Sequence, residues 1–302
     1  GFIEDISQFI DETTLDFNNH TLTLYGSISL HTGGQQMLWG TDGTVIHKGT
    51  NWYVDEDINT LNNVIKYSDG NYRYLRVYNS NFSISGDVTL YDHVILRMDH
   101  TAVTSTGTGK TFTMIGESRV YNYTPASHAK AFPTGFANYN LDPASRVYIR
   151  GTEDQTIYTA PTYGNLYFYT SEPITVSLDG DLDVDGNFTM NYDEPQLNDN
   201  DYNINIAGGV AEFRNYTPGT NTITFDGQDQ LIRNRQSGDR DLTFNNLVIG
   251  GSGVKEFWSG LDKITLNGDF TINAQAAAYT WDDWYFTGSN WTNNGQFRHT
   301  AG

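Results

Sequence analysis

A nine-residue block with glycine at its centre recurs four times and limits the folds open to this chain. Leu182-Asp183-Val184-Asp185-Gly186-Asn187-Phe188-Thr189-Met190 returns as Ile264-Thr265-Leu266-Asn267-Gly268-Asp269-Phe270-Thr271-Ile272, and earlier at 82–90 and 22–30. Apolar residues alternate with polar ones on both sides of the glycine. That period of two belongs to strands with one buried face. The glycine stands where such a strand bends or meets other backbone closely.

The repeat extends upstream of the block. Asn165-Leu166-Tyr167-Phe168 precedes Gly186, Asn246-Leu247-Val248-Ile249 precedes Gly268, and Asn63-Val64-Ile65 precedes Gly86. The motif glycines Gly86, Gly186 and Gly268 stand 100 and 82 residues apart (186 − 86 and 268 − 186). Within 186–268 a finer cadence runs through Gly186, Gly208, Gly227, Gly250 and Gly268, at intervals of 22, 19, 23 and 18. Intervals of about 20 residues suit one coil of a solenoid. A single coil cannot bury its apolar face, whereas stacked coils shield one another.

These patterns predict an all-β chain: a parallel β-solenoid, or β-helix, of imperfect 80–100-residue repeats, each several coils long. Tandem Ig-like β-sandwiches are the alternative, since that repeat length also suits a sandwich. Residues 1–16, with Ile3, Ile6, Phe9 and Ile10 at a weak helical spacing, read as an entry or capping segment. Residues 17–302 read as continuous solenoid, with repeat units near 43–100, 143–191 and 218–273 and another beginning near 285, inside which the sequence stops. Residues 101–141 are the least regular and read as a strand at Phe112 and Met114 followed by a long loop, the irregular 115–140 region.

Charge narrows the partners. Seventeen basic residues against 36 acidic ones give a net charge of −19, which repels phosphate backbones and anionic membranes. Nucleic acid and membrane insertion are therefore not expected. The absence of cysteine excludes disulfides and thiolate metal sites. No apolar run reaches the ~18 residues of a spanning helix.

Asp181-Leu182-Asp183-Val184-Asp185-Gly186 fits the first half of a calcium loop, making Asp181, Asp183 and Asp185 the metal candidate. The twelfth position is Tyr192 rather than Glu, and the matching positions of the next repeat are Lys263, Thr265 and Asn267. An acidic outer strand face explains the same residues, so no cofactor is assigned. Thr108-Gly109-Lys110-Thr111 lacks the upstream glycine and following helix of a phosphate loop. Asp92-His93, Asp99-His100 and Asp282-Asp283 are the acid–base candidates of an enzyme alternative, in which two carboxylates would flank a glycosidic bond. No second cluster supports any of them, and no catalytic residue is assigned. Trp281, Trp284, Tyr285, Tyr167 and Tyr169 are candidate sugar-stacking aromatics; the competing explanation is packing under a loop or a further coil.

The run 141–151, followed by Asp154-Gln155-Thr156-Ile157, Thr162-Tyr163-Gly164-Asn165-Leu166 and Asn290-Trp291-Thr292-Asn293-Asn294-Gly295, resembles repeats of very large Bacteroidota cell-surface proteins. These include gliding-motility adhesins and other type IX secretion cargo. The resemblance implies an extracellular stalk or adhesin at the cell surface. Its implied partners are other segments of the same long chain, secretion or anchoring machinery, and polysaccharide surfaces. The family supplies no catalytic residues. The alternative function is a polysaccharide-binding or polysaccharide-cleaving β-helix.

Overall fold

The computed structural model describes residues 14–16, 19–25, 28–30, 36–38, 42–54, 60–78, 82–99, 103–123, 129–281 and 283–299. The chain divides into two compact units, residues 1–152 and 153–302. Each is a parallel β-solenoid, and no described residue is helical. No helix long and apolar enough to cross a membrane is present among the described residues.

In the first unit one sheet contains Thr21–Tyr25, Thr44–Lys48, Asn63–Tyr67, Val88–Leu90, Thr111–Met114 and Asn138–Leu141. A second contains Ile28–Leu30, Trp52–Val54, Arg73–Val77, Val94–Met98, Arg119–Asn122 and Arg146–Ile149. In the second unit one sheet runs through Leu182–Val184, Ile204–Ile206, Thr222–Phe225, Asn246–Ile249, Phe270–Ile272 and Trp291–Asn293. Another runs from Asn165–Phe168 and Phe188–Met190 through Gly253–Phe257 and Ala276–Thr280 to Gln296–His299. Neighbouring strands come from successive coils and pair in parallel, as in Leu182↔Ile204↔Ile223↔Leu247↔Phe270. Ig-like sandwiches are built from antiparallel sheets, so the parallel ladders exclude that alternative.

The alternation becomes a core because like residues stack. Leu182, Ile204, Ile223, Leu247 and Phe270 form one inward column; Val184, Ile206, Phe225, Ile249 and Ile272 form the next, and all are at most 1% exposed. Burying each such side chain contributes about 1.5–3 kcal/mol. The central glycine joins two strands at a corner: Leu182–Val184 lies in one sheet and Phe188–Met190 in another. A Cβ on Gly186 would come within 2.0 Å of the Gly164 carbonyl oxygen, so a side chain there displaces the preceding coil.

The residue after the motif glycine ties one coil to the next. Asn165 Oδ1 accepts from Asn187 N at 2.9 Å, and Asn187 Oδ1 accepts from Val210 N at 2.9 Å. The same relay runs through Asn246, Asp269 and Asn290, and in the first unit through Asn63, Asp87 and Thr111. Each bond satisfies a corner N–H that no ladder reaches, worth about 1 kcal/mol.

Inward lysines satisfy other corners. Lys66, fully buried, donates to the carbonyls of Gly49 (3.2 Å), Thr50 (3.0 Å) and Tyr67 (2.6 Å). Lys255, equally buried, donates to Gly227, Gln228 and Ser252. Burial pushes both ammonium groups down, Lys66 to about 7.

Two expectations change. Residues 115–140 are not one long loop: Arg119–Asn122 and Asn138–Leu141 continue the two sheets of the first unit, and Ala129–Lys130 is a further strand. The Phe132 and Phe136 rings pack 5.4 Å from Phe112, which anchors this longer coil. Of the entry segment, Thr14–Asp16 is a short strand paired with Gln36–Leu38 rather than part of a helix; Ile3, Ile6, Phe9 and Ile10 lie outside the described residues.

Candidate functional site

The most distinctive surface is the outer face of the first unit's second sheet. Leu75, Val77, Leu96, Met98, Val120, Val147 and Ile149 point inward and are at most 2% exposed. The opposite phase therefore points out, and register aligns it into rows. Tyr53, Arg76, Arg97, Tyr121 and Tyr148 form one row across five coils. Tyr74, Ile95, Arg119 and Arg146 form the row beside it, in which Ile95 is covered and only 3% exposed. Tyr78, Asp99, Tyr123 and Arg150 continue the neighbouring positions at the strand ends.

Guanidinium groups lie on tyrosine rings across this face. Arg76 sits 4.3 Å from the Tyr78 ring centre, Arg97 4.2 Å from Tyr123, Arg119 3.7 Å from Tyr72 and Arg150 4.7 Å from Tyr123. Such contacts contribute about 0.5–2 kcal/mol each. Asp99 accepts from Arg76 Nε at 2.5 Å and from Arg97 Nε at 2.8 Å. Arg119 donates to the hydroxyls of Tyr121 and Tyr72, and Tyr72 donates to Glu117 at 2.7 Å. That hydrogen bond, then the nearby Arg146, holds Glu117 below the usual carboxylate range. Burial pushes the Tyr72, Tyr78 and Tyr123 hydroxyls up, so they stay protonated at neutral pH.

The face differs in sign from the rest of the protein. The second unit carries 7 basic and 21 acidic residues, 7 − 21 = −14; the first carries 10 and 15, 10 − 15 = −5. Within the first unit, Arg76, Arg97, Arg119, Arg146 and Arg150 gather on this face against Asp99 and, at its margin, Glu117. The arrangement suits contact with anionic groups, because guanidinium forks match carboxylate geometry.

Sequence reasoning missed this face. Arg73, in the phase of Leu75 and Val77 but at the start of its strand, pairs with Asp69 at 2.6 Å. The available signal was the outward phase of four strands: Tyr74/Arg76, Arg97, Arg119/Tyr121 and Arg146/Tyr148.

The structure gives Asp181, Asp183 and Asp185 separate tasks. Asp181 Oδ1 accepts from Asn203 N at 2.9 Å, as a corner tie to the next coil. Asp183 accepts from Thr162 Oγ1 at 2.8 Å and Asn205 Nδ2 at 3.1 Å. Asp185 stands at the surface; partial desolvation of its carboxyl, then the like charges of Asp183 and Asp226, push that carboxyl up. Among the described residues, Asp239, Asp241 and Asp262 are the acids close enough to share an ion, and Arg240 and Lys263 already pair with Asp262 and Asp241.

The acid–base candidates are likewise placed. Asp92 Oδ2 lies 2.8 Å from His93 Nδ1, while Asp92 Oδ1 accepts from Glu117 N as a corner tie. Asp99 is held between two arginines. Asp283 opens the strand Asp283–Phe286 and is exposed; His100 and Asp282 lie outside the described residues.

The candidate aromatics divide into two groups that share no strip. Trp284 packs on Phe257 and Phe270 at 5.0 and 5.3 Å and donates from Nε1 to Thr280 Oγ1. Trp281 and Tyr285 are 41% and 52% exposed. Tyr167 lies in Asn165–Phe168 and Tyr169 just after it, with four strands between that strand and Ala276–Thr280 in their sheet. Tyr169 meets Tyr192 edge-on at 5.3 Å. A polar cavity of about 560 Å³ also opens in the second unit beside Asn198, Asn200, Pro218 and Gly219; its buried acid, Asp199, already accepts from Tyr216 and Gly219. Comparison with protein-family models, curated proteins and solved structures finds no match to this chain.

Proposed function

We propose that this chain is a structural and adhesive segment of a large secreted cell-surface protein. Its stacked coils carry load, and their outer faces meet the surroundings. The observation that carries this reading is the double linkage of successive coils, by parallel strand ladders and by side-chain ties at the corners such as Asn165–Asn187–Val210. Many short bonds of that kind share a pull between neighbours, and unfolding proceeds coil by coil. The cell surface, the rest of the long chain and the anchoring machinery belong to the same proposal and rest on the sequence resemblance.

Single-molecule pulling tests it. Coils of about 22 residues, as between Leu182 and Ile204, each release about 75 Å of extended chain. Extension steps in multiples of that length support the reading. Featureless extension like that of an unfolded polymer refutes it.

A further inference from the structure

We propose that the tyrosine–arginine face of the first unit binds an acidic polysaccharide, its uronate carboxylates seated on the guanidinium rows. The inference rests on the adhesive part of the function proposed above and names the partner. Three features on the face support it.

The first is charge. Five arginines collect on one sheet face of a protein whose net charge is −19. An anionic partner is drawn to that face and repelled elsewhere. The second is pre-organisation. Each guanidinium already has a partner: Asp99 for Arg76 and Arg97, two tyrosine hydroxyls for Arg119, Glu117 at 3.4 Å for Arg146, and rings beneath Arg97 and Arg150. Ordering these side chains therefore costs little on binding. The third is periodicity. Arg76 and Arg97 lie on adjacent strands of one row, and Arg119 and Arg146 on adjacent strands of the other. Strands repeat every 4.7–4.9 Å, so a chain polymer lying along the Tyr53–Arg76–Arg97–Tyr121–Tyr148 row meets a cation or an aromatic edge at each step.

The same geometry disfavours nucleic acid. Single strands bind by laying bases on open aromatic faces, and here arginines occupy faces of Tyr72, Tyr78 and Tyr123. A densely charged polyphosphate also meets the strongest repulsion from the acidic body.

The test uses the full chain, immobilised, with polygalacturonate as the probe and dextran and poly-dT as comparisons. The expected result is polygalacturonate binding that weakens as salt rises, with no binding of dextran and weaker binding of poly-dT. Arg97→Gln with Arg150→Gln should lower affinity at least about tenfold while the circular dichroism spectrum is unchanged. Should that variant not fold, Arg97→Lys with Arg150→Lys keeps the charge but loses the fork, and should still weaken binding several-fold. Trp281→Ala in the second unit should have no effect. The proposal is overturned if polygalacturonate does not bind at low salt, or if neither arginine variant weakens it. Tighter binding of poly-dT overturns it too, as does self-association of the chain that the Gln variant abolishes without any glycan binding. None of these outcomes alters the stepwise extension expected on pulling, so a failed ligand and a failed load-bearing role are distinguishable.

Discussion

Raising pH should stabilise the first unit, and Lys66 is the reason. Its ammonium is buried under the corner formed by Gly49, Thr50 and Tyr67. Burial, with the like charge of Arg73 second and Asp69 opposing, pushes it from 10.5 down to about 7. The unfolded chain keeps this proton to about 10.5, the folded chain only to about 7. Between those limits the unfolded state holds more protons, so stability rises with pH. The penalty is fully present below about 7 and is relieved as pH rises towards 10.5. At 1.36 kcal/mol per pH unit the whole window is worth at most about 5 kcal/mol. The three accepting carbonyls favour the charged form, so about 2 kcal/mol is expected between pH 7 and 9. Tyr72, Tyr78 and Tyr123, pushed up by burial, act in the opposite sense above about 10, which sets the upper end of the useful range.

Urea unfolding followed by circular dichroism at pH 7, 8 and 9 measures the effect, with Lys66→Met alongside. The variant keeps the apolar stem and removes the titrating group. The wild type should gain stability relative to Lys66→Met across this range. Parallel pH profiles for the two proteins would refute the assignment, and a wild type that loses stability relative to the variant would reverse its sign.

Three further outcomes follow from packing and charge. Phe225 is fully buried among Phe213, Phe244 and Phe257, so Phe225→Ala should cost about 3–5 kcal/mol in chemical denaturation, whereas Trp291→Ala, at a residue 41% exposed, should cost less than half as much. Gly208→Ala puts a Cβ 2.0 Å from Gly186 backbone, while at Gly209 the nearest atom lies 3.9 Å away; thermal melts should show a drop of several degrees for the first and little change for the second. Asp185→Asn should raise the melting temperature slightly at pH 7 and not at pH 3: a carboxyl pushed up favours folding below its unfolded pKa, and that contribution is lost as pH rises through the folded value.

The inward half of the fold was legible in the sequence. Leu182 and Val184, then Phe188 and Met190, alternate strongly enough to fix strand, face and corner, and all four are buried. Gly186 was legible for the same reason, since close backbone approach leaves few substitutes. The tyrosine–arginine face was not, because it depends on which outward residues of different coils become neighbours. Arg76, Arg97, Tyr121 and Tyr148 share a row although they stand 21, 24 and 27 residues apart (97 − 76, 121 − 97 and 148 − 121). Variable corners hide that alignment, and the longest interval spans the irregular stretch that reads as a loop. At 181–185 the spacing that fits an ion loop combines one corner acceptor, Asp181, with outward positions on and just after a strand.

The parallel register of successive coils can be tested directly because the chain has no cysteine of its own. Thr224, Val248 and Thr271 occupy one outward row on three consecutive strands. Adjacent members sit at strand spacing, within reach of a disulfide, and the outer two are twice as far apart. Under mild oxidation, Thr224→Cys with Val248→Cys should cross-link, as should Val248→Cys with Thr271→Cys. Thr224→Cys with Thr271→Cys should remain reduced. Cross-linking of the outer pair, or its absence in both adjacent pairs, would contradict the stacked-coil architecture.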